Sequence, residues 1–227
     1  MIRSIVIFFS ILQLLLFPVI IPQQKIAGAK EIDNRFSQVW KSTEASRKIY
    51  TWKAETEVVR NAKTIQILVE KVTYDQGGKE IRQVISNKEE ALPGGFIVGR
   101  IAADQKAKIV EFMKEMRLFL EKYALADDDK RHTFFTNAAI TGPDAKGVIQ
   151  IAGTDIFAKG DRLKWWINTK TYSITYATIS TTYKDVAVDF SGTYLLLPNL
   201  NYMSTATINI PSKDMVVRLR FYDFEKK

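Results

Sequence analysis

The chain holds one histidine and no cysteine. Its options for acid–base, nucleophilic and metal chemistry are correspondingly few. His132 stands in Lys130-Arg131-His132, beside Asp127-Asp128-Asp129. A catalytic triad needs an imidazole oriented by an acid next to a nucleophile, and no spacing here sets a serine in that place. A catalytic zinc needs more nitrogen or sulfur ligands than one histidine supplies. His132 therefore reads as a surface residue near a helix start. The three acids before it lack the alternate spacing around a glycine that a calcium loop uses, and helix capping and the helix dipole explain them. Gly94-Gly95 is followed by no Gly-Lys-Ser/Thr and is not a phosphate loop. Acids such as Glu55, Glu57 and Asp185 fall on polar faces or in turns, which speaks against a carboxylate pair for glycoside hydrolysis. The expectation is a non-enzyme with no catalytic residue, no metal and no cofactor.

The aromatic residues offer more. Trp165 and Trp166 are neighbours on a strand, so one indole enters the interior and the other faces outward. Trp52 carries the same ambiguity between core and cavity. If the interior is larger than a compact core needs, the candidate ligand-binding positions are Trp52, Trp165 or Trp166, Tyr176 and Phe190.

The elements that position these residues follow from periodicity. Residues 31–46 read as a helix, because Ile32, Phe36, Val39 and Trp40 share one stripe and Glu31 and Asp33 occupy the first turn. Tyr50 to Val58 alternates, with Trp52, Ala54, Thr56 and Val58 on one side, which makes a half-buried strand. Segments 64–74 and 79–86 flank Asp75-Gln76-Gly77-Gly78 as a hairpin. Residues 88–99, with Pro93-Gly94-Gly95, read as a loop. Ile109, Phe112, Met113, Met116, Leu120 and Tyr123 place a long helix over 103–125, and a shorter one is expected over 127–137. From Ala138 onward the chain reads almost wholly as strands with short turns, an antiparallel meander. In the last of them Met215, Val217, Leu219 and Phe221 oppose Arg218, Arg220 and Tyr222, so one face meets a core and the other meets water. Helices set between strand blocks of one sheet give an α+β domain with the helices packed on one face.

The chain has 227 residues, 46% of them hydrophobic and 26% charged, enough for a full core without disulfides. Its first residues differ from the rest. Arg3 precedes an apolar run from Ile5 to Ile21, then a polar stretch, then Ala27-Gly28-Ala29. That is the order of a secretory signal, with cleavage expected after Ala29; the alternative is a retained membrane anchor, which Pro18 and a run at the short edge for spanning disfavour. Residues 30–227 are then expected to form a single β-rich domain. The absence of both disulfides and Asn-x-Ser/Thr sites leans towards a bacterial source and a periplasmic or envelope location. The formal charge of +8 is spread along the chain in pairs such as Arg47-Lys48. No basic stripe interleaved with aromatics suggests nucleic acid, and weak association with anionic membrane surfaces is the more natural use of the charge.

The order of elements resembles the LolA-like group of bacterial envelope proteins, which comprises outer-membrane lipoprotein-sorting proteins and their uncharacterised relatives. The resemblance spans residues 31–227. It rests on the short first helix, the strand around Tyr50-Thr51-Trp52-Lys53, the mid-chain helices before long antiparallel strands, and the close through Pro211-Ser212-Lys213, Val216-Val217 and Phe221-Tyr222-Asp223-Phe224. It implies an incomplete β-barrel or strongly curved sheet, open on one side, with helices over an apolar cavity for acyl chains. The function so implied is an exported protein that binds or carries a lipid, an acylated molecule or another hydrophobic ligand. The alternative is an envelope protein–protein interaction or sensor module, with a protein partner and no small ligand.

Overall fold

The computed structural model describes residues 28–89 and 111–227. The expected signal segment and most of the loop expected over 88–99 lie outside the described residues. Lys88 and Glu89, assigned to that loop from sequence, instead continue a strand.

Helix α1 (Ala29–Arg47) leads into strands β1 (Tyr50–Arg60), β2 (Lys63–Tyr74) and β3 (Glu80–Glu89). Helix α2 occupies residues 111–121 and tightens into a 3-10 turn at Lys122–Ala124. Helix α3 (Asp128–Asn137) follows. Then come β4 (Ala139–Thr141), β5 (Val148–Thr154), β6 (Arg162–Asn168), β7 (Ile174–Tyr183), β8 (Val186–Leu197), β9 (Leu200–Ile210) and β10 (Met215–Lys226). All ten strands join one antiparallel sheet in the order β3-β2-β1-β10-β9-β8-β7-β6-β5-β4. The first strand pairs with the last, which brings the two strand blocks into one surface. Among the described residues β3 and β4 form the two ends and do not meet, so the sheet is not a closed barrel. This is the α+β, open, curved-sheet architecture expected from the sequence. No helix among the described residues is long and apolar enough to cross a membrane.

Short turns fix the register. The β1–β2 and β7–β8 hairpins turn through Asn61-Ala62 and Lys184-Asp185, all at positive φ, as tight two-residue hairpin loops require. Register shifts interrupt the β1–β2, β2–β3, β6–β7 and β8–β9 ladders, among others. Such bulges increase local twist and bend a sheet. The convex face is polar. Arg218 and Arg220 of β10 pair across to Glu57 and Glu55 of β1 at 2.9 and 3.0 Å, where cross-strand charges are direct neighbours.

The concave face carries the apolar residues, and the helices lie on it. Phe36 of α1 stacks on Trp165 of β6 with centroids 5.0 Å apart and meets Phe135 of α3 at 5.5 Å. Around them Ile32, Tyr123, Phe134, Ile149 and Leu163 complete one buried cluster. A second cluster joins Met116 of α2 to Val58, Val188, Ile208, Ile210 and Val217. A third, of Trp52, Ala54 and Val72, lies between β1 and β2 and takes in Phe221 and Phe224. Leu120 and Phe190 pack against both the first and the second cluster and join them.

Polar contacts hold the helices in place. Asp127 caps α3, its carboxylate accepting from the Lys130 amide at 2.9 Å, as the acid run suggested. Buried Asp33 of α1 accepts from Arg131 Nε at 3.1 Å, and His132 Nδ1 lies 2.9 Å from its other oxygen. His132 is thus exposed, as expected, but it also tethers α3 to α1. Glu115 ties α2 to the β7–β8 turn through Lys184 at 2.6 Å, and that contact holds the Glu115 carboxyl below its ordinary range.

Asp161, 1% exposed, organises the loop before β6. Its carboxylate accepts from the amides of Ile156, Phe157 and Ala158 at 2.6, 2.9 and 3.0 Å and from the Tyr123 hydroxyl at 2.7 Å. Burial pushes the Tyr123 hydroxyl far above its ordinary pKa, so it stays a donor. Asp161→Ala strands these donors in a dry environment and is expected to cost about 3 kcal/mol, against about 1 kcal/mol for Tyr123→Phe. Urea unfolding of the two variants checks the difference.

Candidate functional site

Between the three clusters lies a cavity of about 1350 Å³. That exceeds the roughly 300–1,000 Å³ of ordinary small-molecule sites. Its floor is the concave sheet, with inward side chains from β1, β6, β7, β8, β9 and β10: Trp52, Trp165, Ala177, Phe190, Ile208 and Val217 among them. Trp40 of α1 and Met113, Leu118 and Leu120 of α2 face it from the helix side. Strand alternation explains the apolar floor, because residues two apart on every strand share the concave side.

The five positions singled out from sequence divide into two groups. Trp52, Trp165 and Phe190 line the cavity. Trp166 and Tyr176 do not; they pair with each other at 5.1 Å on the opposite face of the sheet. A bulge is the reason for Tyr176. The β6–β7 ladder pairs Trp166 with Tyr176 and Ile167 with Ile174, leaving Thr175 as an extra residue. The extra residue reverses the parity, so Ile174 and Ala177 both face the cavity while Tyr176 faces away.

One wall of the cavity is charged, which the sequence reading missed. Arg82 of β3 donates to Glu80 at 2.7 Å and to Glu70 of β2 at 3.0 Å. Arg117 of α2 lies 3.8 Å from Glu80 and 2.8 Å from Glu121. All five side chains line the cavity. Burial works against the Arg82 charge, but Glu80 and Glu70 outweigh it and hold the guanidinium above its ordinary value. The signal was present in the parity: Glu70 pairs with Ala54, and Arg82 with Val72, on the inward side of their strands. An inward charge at an otherwise apolar parity marks either a paired ion or a polar wall; here it is both.

Tyr194 of β8 also went unremarked, although it shares the inward parity of Phe190. Its ring packs against the first cluster and lines the cavity. Burial pushes its hydroxyl up to about 12, with Arg47 acting in the opposite direction. Arg47, on the last turn of α1, lines the same cavity and lies 3.3 Å from Glu44. Among the described residues no group of histidine, aspartate and glutamate side chains is arranged to hold a metal ion.

Three solved structures are similar in fold. One is a DUF1329 family protein from Desulfovibrio piger, 9% identical, with a TM-score of 0.43 over 88% of this chain and 93% of that one. Another is a putative outer membrane lipoprotein-sorting protein domain from Vibrio parahaemolyticus, 9% identical, with a TM-score of 0.43 over 88% and 94%. A LolA superfamily protein from Nitrosomonas europaea is 9% identical, with a TM-score of 0.34 over 88% and 94%. No family model and no curated protein matches the chain.

The charged wall makes a measurable prediction. Arg82→Ala is expected to lower stability by about 1–2 kcal/mol, because Glu70 and Glu80 lose a charge-assisted partner. In a double-mutant cycle with Glu80→Ala the two changes should couple by at least about 0.5 kcal/mol. Additive losses in urea unfolding would reduce the wall to independent surface contacts.

Proposed function

We propose that this protein is an exported, non-catalytic binder or carrier of a lipid or another ligand with long apolar chains, held between the concave sheet and the helices. The observation that carries this reading is the cavity itself. It is large and floored by Trp, Phe, Ile and Val side chains. A compact interaction module would leave no such space between its side chains. The acids of the charged wall are each bonded to an arginine rather than set facing one another as an acid–base pair. Export is supported by Arg3, the apolar run after it and Ala27-Gly28-Ala29; the periplasm or cell envelope is the proposed location.

Native mass spectrometry of the protein, expressed full-length in a bacterium and purified without detergent, tests the proposal. A stoichiometric lipid-sized adduct, removed by solvent extraction, is the expected result. Ala177, 2% exposed and on the cavity floor, gives the control. Ala177→Phe should fold with a stability change within about 1–3 kcal/mol and carry no adduct. An unliganded mass that stays unchanged when lipids are offered would overturn the carrier reading. The search would then move to protein partners at the β3 edge, where Ile81, Val84 and Ile85 are exposed.

A further inference from the structure

Antiparallel pairing gathers the connections between strands at two ends of the sheet, and the two ends differ. At the first end lie the α1–β1 joint, the β2–β3, β4–β5, β6–β7 and β8–β9 turns and the close of β10. At the second lie the β1–β2, β5–β6, β7–β8 and β9–β10 connections. The segments between strands at the first end carry five lysines, Lys48, Lys79, Lys146, Lys170 and Lys227, against two aspartates. Both aspartates are engaged within their own turns. Asp75 accepts from the Lys79 amide at 2.9 Å, and Asp144 accepts from the Lys146 and Val148 amides, each at 2.9 Å. All five lysines are exposed, and Lys227 also donates to the Tyr74 carbonyl at 2.6 Å. The corresponding segments at the second end carry three lysines against four aspartates.

Apolar exposure follows the same division. Ile49, Ile81, Tyr176, Leu195 and Leu196 are exposed close to the first end, the two leucines at 52% and 48%. Val84, Ile85 and Leu118 are exposed as well, but they lie along β3 and on α2. Among the described residues no large apolar side chain is exposed in the connections of the second end. The lysines of the first end are spread across the sheet, from the β2–β3 turn to the β4–β5 turn. A compact protein epitope gathers an apolar centre within a polar rim, whereas a row of this breadth fits a flat and diffusely negative surface. Lysine stems can lie along apolar groups while their ammonium heads reach phosphates, and a tyrosine suits such a boundary.

We propose that the first end of the sheet is a docking surface for an anionic phospholipid bilayer. The lysines meet the headgroup phosphates, and Leu195 and Leu196 enter between the headgroups. The proposal goes beyond the carrier reading and does not require it. The two are compatible, because Trp52, Leu200, Tyr202 and Phe224 line the cavity near this same end.

The test is flotation of the full chain with vesicles of phosphatidylcholine alone and of equal parts phosphatidylcholine and phosphatidylglycerol. Tighter binding to the anionic vesicles is expected, weakening as salt rises. A lysine near such a surface contributes about fivefold to binding. Lys146→Gln with Lys170→Gln should therefore weaken binding about twentyfold. Lys159→Gln with Lys213→Gln removes the same charge from the second end and should change it much less. All variants share the apolar run from Ile5 to Ile21, so that run cannot account for a difference between them. The chain has no cysteine, so Leu195→Cys and Lys159→Cys can each take one polarity-sensitive dye. The dye at position 195 should shift to the blue on anionic vesicles, and the dye at 159 should not. Equal binding to the two vesicle types, equal losses in the two lysine pairs, or equal dye shifts at the two positions would overturn the proposal and leave the carrier reading standing.

Discussion

Ten antiparallel strands that keep their apolar residues on one side create more concave surface than the described helices cover. That mismatch of areas governs the rest of the structure. Helix α1, with α3, covers the β5–β7 end through Phe36, Phe135 and Trp165. Helix α2 covers the β1 and β8–β10 region through Met116. The surface between them, including Trp52, Ala177 and Phe190, is left lining a space. In a flat sheet this would be an exposed patch. The bulges bend the sheet, and the patch becomes the wall of a cavity instead.

The polar groups follow from the same geometry. At the β2–β3 end the inward charged residues stand beside the apolar Leu68 and Val72. Glu70, Glu80 and Arg82 pair there with one another, and Arg117 of α2 joins them. Elsewhere buried polar groups serve as tethers: Asp33 holds Arg131 and His132, and Asp161 holds three amides and Tyr123.

Much of this was legible in the sequence, and the misses share a cause. The alternation from Tyr50 to Val58 and from Met215 to Phe221 gave the correct faces, because those strands read cleanly as apolar against polar. The helix stripes at Ile32, Phe36 and Trp40 and at Met113, Met116 and Leu120 were equally plain. Tyr176 was harder. Strand β7 carries Thr and Tyr on both faces, and the extra residue at Thr175 reverses the parity without leaving a glycine or proline to mark it. Trp165 and Trp166 could be assigned to opposite faces but not to particular ones until the register with Ala177 and Tyr176 was known. The charged wall needed the β2–β3 pairing, since an inward Glu70 is unremarkable until Arg82 is set one strand away.

The cavity floor bears on the energetics of unfolding. Heat capacity and denaturant sensitivity both scale with the surface newly exposed when a protein unfolds. Floor side chains such as Trp52 and Val217 are 6% and 0% exposed in the native fold. Unfolding therefore brings them into water in full, and they add to both quantities as residues of a solid core do.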